Sequence, residues 1–403
     1  MLKLIKRLFL LCIFIIIGAG IWGYNNGMRQ DNYKEFISDI VSKYRQKITY
    51  PKAETKSQES KSKTKRKKEN EKTVKYKLQP LPRNPFSSID NHSRNCSSSV
   101  TRDILNLATF LQQKATTDIE KARSIYIWIT DNIRYDDDAF NSGIYPDYTA
   151  DYVLQNRKAV CEGYSNLYLA LGREMGLAIE KVSGYAKGYG YTNERKFSKT
   201  DHAWNVIKVE GKWKIFDSTW GGGHGSNVNG ELVSKKDFDD YWFNVDPYES
   251  IFNHLPEDNR FSFVQPSLSL SQYEKIPKVD KEYFELGFKG GETYSAVSAN
   301  PNSEFPQCYK PETHIEIISA PKFKYLTINQ YYYFEFYVPR GLKLALIDSN
   351  NNWAYFDREK GKFNLNYTPQ KSGKLQICLQ HEKSGKSYNI FLVYEVRDKK
   401  ESI

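Results

Sequence analysis

The residues from Ala159 to Trp220 constrain this chain most, because they set a thiol, an imidazole and a carboxylate in an order that folding can bring together. The pieces read Ala159-Val-Cys-Glu-Gly-Tyr-Ser-Asn166, Asp201-His-Ala-Trp-Asn205 and Phe216-Asp-Ser-Thr-Trp220. From Cys161 onward, Tyr164, Leu167, Tyr168, Leu171 and Met175 fall on one apolar stripe at helical spacing, and Gly176 ends it. Cys161 is therefore expected in the first turn of a helix. Unpaired backbone N–H groups and the positive end of the dipole favour thiolate over thiol there.

His202 and Asp217 fall on what reads as a β-hairpin. Residues 203–209 alternate, Glu210-Gly211 is a turn, and residues 212–216 alternate again. A two-residue loop sets Val209 opposite Lys212, and the same register sets Trp204 opposite Asp217 and His202 opposite Thr219. His202 and Asp217 then share a face, one diagonal step apart and within hydrogen-bond reach. A four-residue loop keeps this parity, whereas a three-residue loop turns one side chain away. Cys161, His202 and Asp217 are thus the candidate catalytic residues. In this register Asn205 faces the other way and is expected to be structural, and Trp204, Trp213 and Trp220 are expected to pack.

Charge is uneven along the chain. The first 80 residues hold 19 Lys/Arg against 7 Asp/Glu, which accounts for the whole chain's net charge of +11 and leaves residues 81–403 near neutral. A near-neutral folded part offers no basic nucleic-acid surface, and no nucleic-acid partner is expected.

Lys3, Lys6 and Arg7 precede an apolar run over residues 8–17 that extends to Trp22. Residues 1–24 read as a signal anchor rather than a cleaved signal, since no small-x-small cleavage site appears. The run has about 16 apolar residues, fewer than the roughly 20 of a comfortable span. Residues 25–80 form a basic tether. Tyr33, Phe36, Ile37, Ile40, Val41 and Tyr44 keep helical spacing within it, and residues 52–77, almost all Lys, Glu, Ser and Thr, are expected to be disordered. The Lys65-Arg-Lys-Lys68 cluster suits anionic lipid or a wall polymer. The expected location is membrane-anchored with the catalytic domain outside the cytoplasm; basic residues at both ends of the anchor leave the cytoplasmic orientation as the alternative.

Residues 81–265 read as an α+β domain, with helices leading into strands. Thr117-Asp-Ile-Glu120 has the form of a capping box, and Ile119, Ala122, Tyr126, Ile129 and Ile133 behind it predict a helix burying one face. Residues 266–310 are linker-like. Residues 311–398 carry seven short alternating strands, at 314–319, 330–338, 342–348, 352–356, 362–367, 373–380 and 388–396, which predict an immunoglobulin-like β-sandwich. Cys308 and Cys378 share this region and could bridge in an exported protein, leaving Cys96 free. Gly221-Gly-Gly-His-Gly225 lacks the strand–glycine–helix context of a phosphate loop, so it reads as a flexible rim with His224 a bystander. No cluster has metal-ligand spacing, and no cofactor is expected.

Several of these pieces together resemble the transglutaminase-like superfamily, in the branch around kyphoscoliosis peptidase. They are Ala122-Arg-Ser-Ile-Tyr-Ile-Trp-Ile129 with Ile133-Arg-Tyr-Asp136, then Val160-Cys-Glu-Gly-Tyr164, His202-Ala-Trp-Asn205 and Asp217-Ser-Thr-Trp-Gly221. Tyr241-Trp-Phe243 and His254-Leu-Pro-Glu-Asp258 follow in the same order. The resemblance implies a papain-like core with Cys161 as nucleophile, His202 as general base and then acid, and Asp217 orienting the imidazole. The backbone N–H of Cys161 is the natural oxyanion donor; a second donor is not identifiable from sequence. Animal cross-linking members carry Gln and Trp around the nucleophile where this chain has Val160 and Glu162, which favours hydrolysis or another acyl transfer over glutamine–lysine cross-linking. The expected function is a cysteine acyl-hydrolase acting on protein or peptide amides. The alternatives are an inactive fold used as a binding or scaffold module, and a cross-linking transglutaminase.

Overall fold

The computed structural model describes residues 84–339, 341–381 and 388–398. The expected anchor, the helical stretch within residues 31–44 and the rest of the tether lie outside them. Among the described residues no helix is long and apolar enough to cross a membrane.

Six helices open the first domain: α1 (Ser87–Arg94), α2 (Ile104–Gln112), α3 (Asp118–Asn132), α4 (Asp137–Ser142), α5 (Ala150–Asn156) and α6 (Cys161–Glu174). The capping box is formed as expected: Thr117 N–H donates to Glu120 Oε2 at 2.9 Å, and the Thr117 hydroxyl accepts from Glu120 N–H. The helix behind it departs from the one-faced reading. Every residue of α3 from Ala122 to Thr130 is buried, because neighbours cover it nearly all round. Arg123 is tolerated there because Nε and Nη2 bond both Asp90 oxygens at 2.8 Å and Nη1 meets Asp240.

Short strands β1 (Arg134–Tyr135) and β2 (Lys158–Ala159) pair in parallel just before α6. Next come β3 (Ile179–Ala186), β4 (His202–Val209), β5 (Lys212–Phe216), the one-turn α7 (Ser218–Gly221), β6 (Gly223–Val228), β7 (Glu231–Lys236), β8 (Phe243–Val245), the one-turn α8 (Pro247–Ser250) and β9 (His254–Pro256). The central sheet is antiparallel with order β8-β5-β4-β3-β9. The apolar stripe of α6 is buried as read from sequence, each side chain contributing roughly 1.5–3 kcal/mol. Its two tyrosines satisfy their hydroxyls on α3, Tyr164 donating to Ile133 O and Tyr168 to Ala122 O, both at 2.7 Å.

Residues 266–310, expected as a linker, are a packed segment. They form α9 (Leu270–Tyr273), α10 (Lys281–Glu285) and α11 (Gly290–Ala299). Tyr273, Ile276, Val279, Tyr283 and Phe284 join one core with Phe252 and Leu255 of the first domain and Phe334 and Phe391 of the last. The buried Lys187 fastens this segment, donating to Tyr273 O and Ile276 O at 2.7 Å each. Turn formers concealed the short helices, whose apolar residues are covered only when both domains are present.

All seven expected strands of the last region form, within two residues at most ends: β11 (Glu316–Ser319), β13 (Tyr332–Tyr337), β14 (Leu342–Ile347), β15 (Trp353–Tyr355), β17 (Lys362–Tyr367), β18 (Gly373–His381) and β19 (Tyr388–Arg397). Three more were not anticipated, β10 (Gln307–Cys308), β12 (Tyr325–Thr327) and β16 (Asp357–Glu359). They make two sheets, β10-β19-β18-β14-β15 with β12 beside β19, and β11-β13-β17-β16. Cys308 and Cys378 are free thiols, so the bridge considered from sequence is absent.

Candidate active site

Cys161 is the first residue of α6, half-buried, with Val160 at the N-cap offering no side chain to the free backbone N–H groups. The helix start is pinned from two sides. Lys181 on β3 pairs with Glu162 and donates to Asn166 Oδ1 at 3.0 Å. Gly163 lets the first turn approach its neighbours, since a Cβ there would lie 2.6 Å from Ala159 Cβ and 2.8 Å from Val153 Cγ2.

The hairpin register agrees with expectation from Val209↔Lys212 to Asn205↔Phe216. Glu210 and Gly211 supply its turn with φ of 49° and 77°, the tight type I′ geometry. The ladder then stops, which corrects the two pairs extrapolated beyond it. Asp217 leaves the strand to cap α7, its Oδ1 accepting from the N–H groups of Thr219 at 2.9 Å and Trp220 at 3.0 Å. Thr219 therefore lies in a helical turn and not across from His202. Asp217 nonetheless reaches His202, whose Nε2–H donates to Oδ2 at 2.7 Å. The other edge of the ring belongs to the thiol, since the Cys161 side chain lies near enough to His202 to raise its pKa. With Nε2 engaged by the carboxylate, Nδ1 is the nitrogen left for sulfur. The fold thus brings Cys161, His202 and Asp217 into one chain of contacts.

Burial drives the pKa of His202 down, yet the charge and hydrogen bond of Asp217, with the contact to Cys161, overcome it and hold the imidazole well above its ordinary range. Burial likewise pushes Asp217 up, and His202 followed by His254 overcomes it, keeping the carboxyl ionised far below its usual range. These are the electrostatics of an imidazole stabilised as imidazolium beside a thiol.

Two residues were not anticipated at the site. His254 on β9, 3% exposed, donates from Nε2 to the same Asp217 Oδ2 at 3.0 Å. It was legible only as part of a resembling motif. Tyr135 is close enough to the thiol to feel its charge: burial and then Cys161 push its hydroxyl pKa up, so it stays a donor. Its position beside Cys161 follows from the β1–β2 pairing, which two-residue strands do not announce. Asn205 faces away, donating to Ser165 O at 3.1 Å and tying α6 to the sheet.

His202, Asp217 and His254 have donor atoms close enough to converge on a cation. Their nitrogens and oxygen are, however, joined to one another by N–H···O bonds, so a metal would have to displace both. This donor set fits a hydrogen-bond network better than an ion.

A cavity of about 510 Å³ opens beside His202, lined by Tyr135, Phe140, Tyr189 and Trp220 among others. Gly222 to Gly225 line it too, but from Gly223 onward as the start of the β6–β7 hairpin rather than a loose rim. Asn229-Gly230 at the hairpin turn, with φ of 54° and 94°, was the sequence signal for it. His224 is exposed, 3.6 Å from Asp237. Trp204 and Trp242 are buried against His254, whereas Trp213 packs on Phe261.

Residues 106–218 match the family model for the transglutaminase-like superfamily. Kyphoscoliosis peptidase of Homo sapiens is 30% identical over 245 residues, 60% of this chain and 35% of that protein. Hillarin of Drosophila melanogaster is 28% identical over 229 residues, 53% of this chain and 27% of that protein. The chain therefore spans about a third of the curated relatives it matches. A solved structure described as a TGase shares 18% identity over 39% of this chain and 38% of that one, at a TM-score of 0.22, too loose to carry an argument. By family model and relatives together, residues 106–218 are similar to the transglutaminase-like superfamily, and the chain resembles kyphoscoliosis peptidase and its relatives.

Proposed function

We propose that the protein is a cysteine acyl-hydrolase that cleaves protein or peptide amides through a thioester. The observation that carries this reading is the 2.7 Å bond from His202 Nε2 to Asp217 Oδ2, on an imidazole whose pKa is also raised by the thiol at a helix start. The Cys161 thiolate attacks the amide carbonyl, forming a C–S bond. The oxyanion receives the Cys161 backbone N–H and, as second donor, the Tyr135 hydroxyl. His202 passes a proton to the amide nitrogen, the C–N bond breaks, and the amine leaves. Water then attacks the thioester while His202 takes its proton; the C–S bond breaks, the acid departs, and thiol and imidazole are restored. Asp217 holds the imidazole in the tautomer that faces sulfur throughout.

A polypeptide substrate suits the open, aromatic-lined cleft. Val160 and Glu162 beside the nucleophile favour water over a lysine amine as acceptor. Placement at a membrane rests on the sequence of residues 1–24 and the basic tether, and protease accessibility of the folded part in intact cells tests it. The test of the activity is alkylation of Cys161 by iodoacetamide, with proteomic comparison of cells carrying wild type or Cys161→Ala. Rapid alkylation at neutral pH that falls in His202→Ala, with substrate fragments absent from Cys161→Ala cells, is expected. Ordinary thiol reactivity and unchanged proteomes would leave the scaffold reading in its place.

A further inference from the structure

We propose that His254 is a positioning residue of this network, a neutral donor that shares Asp217 Oδ2 with His202 and so fixes the carboxylate that steers the catalytic imidazole. The inference rests on the proposed Cys161–His202 chemistry and adds a member to it.

Asp217 is 1% exposed and its two oxygens can accept about four hydrogen bonds. All four places are filled: Oδ1 by the backbone of Thr219 and Trp220, Oδ2 by the two imidazoles. Because the carboxylate is ionised, both Nε2 atoms must carry protons. For His254 this fixes the charge as well as the tautomer. Its Nδ1 is buried without a hydrogen-bond partner, a place that accommodates a bare lone pair but not the second N–H of an imidazolium. The rings around it, Trp220 at 4.4 Å, Trp204 at 5.1 Å and Trp242 at 5.2 Å between centroids, offer no acceptor for such a proton. Burial accordingly drives the pKa of His254 down, opposite in sense to His202 on the same oxygen.

Two imidazoles on one oxygen thus take different roles. His202 moves a proton toward sulfur, whereas His254 holds its own and lends only its N–H dipole. A merely space-filling ring would serve better without a stranded buried nitrogen. The β-sheet explains the delivery: Ala186↔His254 pairing on β3 and β9 aims the ring inward, and Gly184 has no Cβ, which would lie 2.4 Å from Trp204 and 2.2 Å from Leu255 O. The other titratable groups facing the pair are Asp201, and Tyr126 and Tyr164, both kept protonated by burial.

The test is the pH dependence of Cys161 alkylation by iodoacetamide in the full chain, for wild type, His254→Phe, His254→Gln and His254→Asn, with a thermal melt of each. His254→Phe keeps the ring and removes the donor, so Asp217 is held less firmly and steadies the His202 imidazolium, and with it the thiolate, less well. The acid limb of the profile is expected to move up by about one pH unit, about tenfold slower alkylation on that limb, with rates converging above it. His254→Gln keeps a donor at the same reach and should restore the wild-type limb; His254→Asn, too short, should resemble His254→Phe and serves in its place if that variant does not fold. A lower melting temperature with the limb unmoved in Phe and Asn variants would overturn the proposal while leaving Cys161 reactive. A wild-type profile with no acid limb, that of an ordinary thiol, overturns instead the chemistry on which it rests.

Discussion

Replacing Asp217 by Asn isolates the charge of the network. The Asn side-chain oxygen caps α7 as well as Asp does, so the Thr219 and Trp220 bonds survive. What changes is the other end. The amide nitrogen now faces two Nε2–H donors that sit at 2.7 and 3.0 Å; His202 must move its proton to Nδ1 to avoid the clash, whereas His254, with no acceptor at Nδ1, is pushed off the amide. His202 then offers sulfur a neutral N–H in place of the imidazolium. Two unit charges about 4 Å apart attract by about 4 kcal/mol at an effective dielectric near 20. That equals about three pH units of imidazolium stability, at 1.36 kcal/mol per unit. Without it the His202 imidazolium loses most of its stabilisation, and the sulfur loses the counter-charge that favours thiolate. Alkylation of Cys161 should therefore slow by about tenfold or more at pH 7, with the difference narrowing as pH rises. Iodoacetamide kinetics read by mass spectrometry at Cys161, with melting curves to confirm folding, measure this. Alkylation of the Asn variant within threefold of wild type at pH 7 would refute the ion-pair account.

The same pair should shape stability. Asp217 is depressed in the fold, so its contribution is present above about pH 4 and fades as pH falls through the folded value; His202 is raised, so its contribution is complete below about pH 6.5 and fades as pH rises. Urea unfolding of wild type minus Asp217→Asn should be largest between those limits, and a difference independent of pH would contradict it. Arg123→Ala strands Asp90 in the core and should cost about 3–5 kcal/mol by urea unfolding. Gly163→Ala forces a Cβ within 2.6 Å of Ala159 and should cost about 1–3 kcal/mol, with slower Cys161 alkylation because the α6 tip is displaced.

Much of this architecture follows from short-range rules. The α6 stripe, the Thr117–Glu120 cap, the Val209–Lys212 register and the sandwich strands obey periodicity, capping and turn chemistry, all local in the chain. The Asn229-Gly230 turn was equally local and could have been read. By contrast, the burial of α3 on nearly all sides and the packing of residues 266–310 depend on surfaces that distant segments supply. One-turn helices and two-residue strands are too short to leave a period.

The sequence by itself determined that a thiol would open a helix and that an imidazole and a carboxylate would leave neighbouring strands together, because hairpin parity and helical spacing are properties of consecutive residues. Only the tertiary structure decided how Asp217 is used. It ends the ladder to cap α7, and it accepts His254 from a strand 37 residues further on. Neither could be read from spacing, since burial and the sharing of one oxygen by two rings arise only where separate strands meet in space.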